Sequence, residues 1–151
     1  LKAIVWSGDE AGKMLVTRVN TLGETKKMSS SSKYYLTPTH QAIDYSADII
    51  KGMKGRKKLL IFITDGIPQA MTKDGQEIPS HTLELMSRRS MQKALRKCPN
   101  IMAMLVSPST THDETCKNIF GNRLMTVDNM ATGSDMVVKK FKRLVTQVLK
   151  A

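Results

Sequence analysis

Leu59-Leu60-Ile61-Phe62-Ile63-Thr64-Asp65-Gly66 decides the fold class of this chain. Five apolar residues run without interruption and stop at Thr-Asp-Gly. A short apolar run rich in β-branched residues is what a strand buried on both faces requires. Asp-Gly turns the chain at the carboxyl end of that strand. In open α/β sheets ligands gather at that end. A carboxylate there suits chemistry or a hard cation such as Mg²⁺. Asp-Gly is also a common turn former, so a loop-capping role for Asp65 stands beside the functional one.

Outward from this strand, the spacing predicts alternating helices and strands. Upstream, Ile43, Ala47 and Ile50 fall on one face of a helix from Thr39 or His40 to Met53. Gly52 and Gly55 close it. Before that helix, the polar segment 21–36, with Ser29 to Ser32 in a row, reads as a loop. Lys2 to Trp6 and Lys13 to Val19 read as an antiparallel pair joined by the turn Ser7 to Gly12. Downstream, a loop from Gly66 to Ser80 leads to a helix over 81–97 carrying Leu83, Met86, Ala94, Leu95 and Cys98 inward. Pro99-Asn100 stops it. Ile101 to Val106 is a second buried strand, Thr111 to Phe120 a short helix with Gly121 past its end, and Leu124 to Val127 a short strand. Ser134 to Leu149 is a last helix, with Val137, Phe141, Leu144, Val145 and Val148 at helical spacing. The alternation predicts an α/β fold with a parallel sheet covered by helices on both faces.

The strand tips of that sheet collect Asp65, Ser107, Ser109, Asp128 and Asn129, and the loop before the first helix adds Thr37 and Thr39. An oxygen-rich rim without thiolates suits Mg²⁺, Mn²⁺ or Ca²⁺ rather than zinc.

The chain's 151 residues suit one domain, 1–151, with a full core. No apolar run approaches the roughly 20 residues that span a bilayer, and the first residues carry no leader pattern. Cys98 and Cys116 have no CxxC spacing and read as buried thiols of a reducing, cytoplasmic compartment. The net charge of +11, from 24 Lys and Arg against 13 Asp and Glu, raises nucleic-acid binding as a reading. The basic residues are scattered along polar helix faces, and no aromatic residue interleaves with them for base stacking, which weighs against it. A basic surface also favours an acidic protein partner.

Thr37-Pro38-Thr39-His40-Gln41-Ala42-Ile43, followed some twenty residues on by the strand ending at Thr64-Asp65-Gly66, resembles the von Willebrand factor A domain. The order of the remaining elements extends the likeness over nearly the whole chain. The wording Thr-Pro-Thr-His and Thr-Asp-Gly-Ile-Pro is similar to intracellular bacterial and phage members, including the cobaltochelatase-like group. The resemblance implies a Rossmann-like sheet, mostly parallel with one antiparallel edge strand. It implies a metal-ion-dependent adhesion site with Thr37 and Asp65 as metal ligands. Thr39 and Ser107 support that site from behind the ligands. It implies Mg²⁺ as the metal, and as partner a protein, of the ring-forming ATPase kind in cobaltochelatase-like systems.

The chain departs from the family in one respect. The family's Asp-x-Ser-x-Ser motif, which follows its first strand, does not occur here. Ser29 to Ser32 lacks the Asp and follows no buried strand. The opening strand aligns with the family's second, so the first strand and first helix are absent and the domain reads as N-terminally incomplete. The missing strand comes from upstream polypeptide or from another chain, or the sheet is rearranged. Metal binding by this chain alone is accordingly weak or absent.

Other chemistry is poorly supported. His40, His81 and His112 are far apart with no HExxH pattern, and neither a Gly-x-Ser-x-Gly elbow nor a phosphate-binding loop occurs. A metal-dependent hydrolase centred on Asp65 remains the enzymatic alternative. Thr111-His112-Asp113-Glu114 reads as a helix start with acidic residues in its first turn. Of the 11 Met residues, Met86, Met102, Met104 and Met125 read as core, while Met28, Met53, Met71 and Met130 read as an adaptable surface.

Overall fold

A computed structural model describes residues 3–19, 36–55, 57–64, 66–106 and 110–127, together with the helical residues 135, 138–139, 141–143, 145–146 and 150. Two sheets and three principal helices build the described part. Strands β1 (Ala3–Gly8) and β2 (Met14–Val19) form an antiparallel hairpin in which Ala3 faces Val19 and Gly8 faces Met14. Asp9 organises its turn: the carboxylate accepts the N–H groups of Ala11 and Lys13 at 3.1 and 2.8 Å. Helix α1 (Thr39–Gly52) follows, then β3 (Leu60–Thr64), α2 (Ser80–Lys97), β4 (Ile101–Val106), α3 (Thr110–Phe120), one 3₁₀ turn (Gly121–Arg123) and β5 (Leu124–Val127).

Strands β3, β4 and β5 form a parallel sheet in that order. The fold is therefore mixed α/β, as expected, but the hairpin and the parallel strands are two sheets rather than one. The helical core covers one face of the parallel sheet. Phe62, Ile101, Ala103 and Leu105 pack there with Ile43, Ala47 and Ile50 of α1, Met91 and Ala94 of α2, and Cys116, Ile119 and Phe120 of α3. The rings of Phe62 and Phe120 are 6.0 Å apart and tilted by 34°, within the range where aromatic pairs attract.

The inward face of α2 differs from the expected one. Leu83, Ser87, Ser90, Met91 and Ala94 are buried, whereas Met86 and Leu95 are only partly so. Ser87 is wholly buried and Ser90 is 5% exposed. With Ala42, Ser46 and Ala47 buried on α1, small side chains fill this helix contact, which lets the two backbones approach closely. Met53, expected at a surface, packs against the core, while Met104 is buried as expected. Met28 and Met130 lie outside the described residues, as do the Ser29 to Ser32 loop and much of the last helix. Among that helix's described residues, Val138 and Phe141 are exposed.

The foot of β3 is laced to the loop before β4. Leu60 N–H donates to the Asn100 carbonyl at 2.9 Å, and the Asn100 side-chain amide donates to the Lys58 carbonyl at 3.1 Å. Among the described residues no helix is long and apolar enough to cross a membrane.

Candidate functional site

Three segments meet above the carboxyl end of β3. The first is residues 36–41, leading into α1. Pro38 stands at the helix N-cap and donates no side-chain hydrogen bond, so the neighbouring threonines take over the local polar chemistry. The Thr37 carbonyl is the hub. It accepts the backbone N–H of Thr39 at 2.8 Å, the Thr39 hydroxyl at 3.3 Å and the backbone N–H of Gln69 at 2.9 Å. The last bond ties the hydroxyl loop to the second segment, which follows β3.

That second segment folds on itself. Ile78 N–H donates to Ala70, Thr72 N–H to Gln76, and Met71 faces Glu77 in an isolated bridge. Thr64, buried at the tip of β3, accepts the Gly66 N–H on its hydroxyl at 3.4 Å, the short side-chain-to-backbone closure typical of Ser/Thr turns. The third segment is the hairpin turn. Gly8 N–H donates to the Leu36 carbonyl at 2.9 Å, and the Gln41 side-chain amide donates to the Gly12 carbonyl at 3.0 Å.

Of the four residues singled out from sequence, two are described. Thr37 is half-buried with its carbonyl fully engaged, and Thr39 is buried with its hydroxyl spent on Thr37. Asp65 and Ser107 lie outside the described residues, as do Ser109, Asp128 and Asn129. Thr64 and Gly66 frame Asp65 in the chain, and the Gln69 bond brings their loop to Thr37. Among the described residues no group of three or more His, Cys, Asp or Glu is gathered in metal-binding geometry. Among the described residues, the side-chain donors at this rim are the hydroxyls of Thr37, Thr39 and Thr64, oxygen chemistry that fits a hard cation.

Neighbouring titratable groups do not compete for this role. Burial pushes the His40 imidazole below its usual range, partly offset by the Asp44 carboxylate one turn along. Its Nδ1 has no hydrogen-bond partner among the described residues. Burial pushes the Cys116 thiol up to about 11, with the Asp113 carboxylate adding to the effect, and burial also raises Cys98. Neither is a thiolate nucleophile near neutral pH. Asp113 is held below the usual carboxylate range by its hydrogen bond from Lys117 and a second from the Thr126 hydroxyl. It fastens α3 to β5.

The basic residues at the opposite end have structural partners too. Lys58 donates to the Lys51 carbonyl at 3.1 Å near the end of α1, and Lys97, in the last turn of α2, pairs with Asp48. Cations near helix C-termini complement the helix dipole.

Sequence reasoning missed Thr64, Gln69 and Gln41. Gln69 acts through its backbone N–H and Gln41 across 29 residues, and neither leaves a local sequence pattern. The chain matches no family model, no curated protein and no solved structure.

Proposed function

We propose that this chain is a binding module of the von Willebrand factor A type. In this reading the loop carrying Thr37 and the loop opening at Asp65 hold a divalent cation at the tip of a Rossmann-like sheet. The hydroxyl of Thr37 and the carboxylate of Asp65 are its protein ligands, with Thr39 and Ser107 steadying the loops. Mg²⁺ is the expected ion and Mn²⁺ its substitute. A bound cation with an open position supplies a docking point for an acidic group of a protein partner, and the net charge of +11 draws such a partner in.

The Thr37–Gln69 bond carries the reading. It fixes the hydroxyl loop and the Asp-Gly loop, which are 28 residues apart in sequence, beside one another at the same strand tip, where α/β folds bind ligands.

The test is a Mn²⁺ titration followed by NMR. Paramagnetic broadening centred on the amides of Thr37, Thr39 and Gly66 supports the reading. Broadening confined to exposed carboxylates elsewhere, such as Asp74 and Glu77, overturns it.

A further inference from the structure

We propose that the outer face of α2 and the carboxyl ends of α1 and α2 form one basic surface that binds the phosphate backbone of a nucleic acid duplex without reading its sequence. The surface lies at the foot of β3, the opposite end of that strand from Thr64, and the inference stands apart from the metal site.

Helix α2 buries Ser90, Met91 and Ala94 and presents its opposite side to solvent. At helical spacing the exposed side chains there form two neighbouring stripes. Arg89, Lys93 and Lys97 make one, and Arg88, Gln92 and Arg96 the other. The stripes run for about 14 Å, a length over which a duplex carries roughly eight phosphates on its two strands.

Cations scattered in the sequence are gathered here by the fold. Lys97 pairs with Asp48 of α1, 49 residues away in the chain. The Asp48 carboxyl is held below its usual range by the hydrogen bond and charge of Lys97, and further by the charge of Lys51 beside it. Lys58 donates to the Lys51 carbonyl at 3.1 Å, and its own carbonyl accepts the Asn100 amide just past α2. Lys54, exposed between Lys51 and Lys58 in the chain, adds a further charge beyond the end of α1.

The cations outweigh the local negative charge. Each helix carboxyl end contributes about −0.5 charge. Asp48 lies within the surface, and Asp44 and Glu84, one turn back on their helices, border it. Against these stand Lys51, Lys54, Lys58, Arg96 and Lys97 at the helix ends, with Arg88, Arg89 and Lys93 along α2.

Phosphate is the anion that this chemistry selects. Five of the eight cations are Lys, and no aromatic residue stands among them. Protein interfaces are depleted in Lys and centre on aromatic or apolar anchors. The three arginines supply planar forks that match phosphate. Single strands are held by stacking on aromatic platforms, whereas a duplex offers its backbone to any basic surface. The apolar side of α2 is committed to the core through Met91 and Ala94 and cannot enter a bilayer.

The test is fluorescence anisotropy of a labelled duplex of random sequence, titrated with the chain in EDTA at increasing salt. About five phosphate contacts give a slope of log K against log salt near −4.5, a loss of several-hundred-fold between about 50 and 200 mM. Arg89→Gln with Lys93→Gln removes two exposed cations from α2 without touching the core, and should make the slope shallower by about 1.8. Lys13→Gln with Lys73→Gln, at the hairpin turn and in the loop after β3, changes the net charge equally and should leave affinity and slope nearly unchanged. Four results overturn the proposal: no binding, or binding indifferent to salt; equal weakening by the two pairs, which assigns the attraction to net charge; tighter binding to a single strand of the same length; or tighter binding to polyglutamate or to phosphatidylserine vesicles, which assigns the surface to an acidic protein or a membrane.

Discussion

Gly12 sits against the backbone carbonyl of Met71 so closely that a Cβ at Gly12 would lie 2.3 Å from that oxygen. Gly12 also has φ +73°, a conformation that costs other residues roughly 1–3 kcal/mol. The hairpin turn and the loop after β3 therefore meet only because position 12 has no side chain. Gly12→Ala is expected to destabilise the fold by at least 1–3 kcal/mol, on the order of the strain alone. Gly52, in the last turn of α1, has open space around its missing Cβ. Gly52→Ala should be neutral or stabilise by up to about 1 kcal/mol. Urea denaturation of the two variants measures the contrast.

Thr37→Val keeps the carbonyl hub and removes only the hydroxyl. It should leave the urea midpoint nearly unchanged and abolish Mn²⁺ broadening at the rim. Asp65→Ala should likewise harm ligand engagement more than folding. If either substitution mainly lowers the melting temperature, that residue is a loop cap. Mg²⁺ itself should bind this chain no tighter than roughly millimolar, because two protein oxygens leave most of the shell to water. Calorimetry reads this directly.

Asn100→Ala removes the side-chain donor to the Lys58 carbonyl at the foot of β3. A lost hydrogen bond with its acceptor partly desolvated costs about 1–2 kcal/mol. Asn100→Asp removes the amide donor as well and should not restore stability at neutral pH.

His40 gives stability an acid limb. In the unfolded chain its imidazole takes up a proton as pH falls through about 6.5. Burial delays that uptake in the folded chain to lower pH. The unfolded state thus binds more protons across this window, and stability falls as pH drops from about 6.5 toward the folded value. Above the window His40 is neutral in both states. His40→Gln should flatten this part of the curve, as urea midpoints between about pH 5 and pH 7.5 would record.

Periodicity located the elements well where burial is one-sided or complete. The apolar runs at 60–64 and 101–106 became β3 and β4, and Ile43, Ala47 and Ile50 marked the inner face of α1. It failed at Ser87 and Ser90, because a tight helix contact selects small residues regardless of polarity. It also failed at Met53, since a methionine beyond a helix end can fold back onto the core. At the rim, Thr37 and Thr39 were legible because a hydroxyl loop before a helix is a local pattern. The bond that gives them meaning, to Gln69, is long-range and backbone-mediated, and no residue type announces it.

Cys98 and Cys116 are each 1% exposed, the first capping α2 and the second inside α3. Only thiolates react with alkylating reagents, and burial keeps both as thiols until the chain around them opens. The protein therefore carries two native stopwatches in one core, one at the end of α2 and one within α3. Equal alkylation rates under weakly destabilising conditions would mark α2 and α3 as one cooperative unit. Faster reaction at Cys116 would mean that α3 lifts away while α1 and α2 stay closed together.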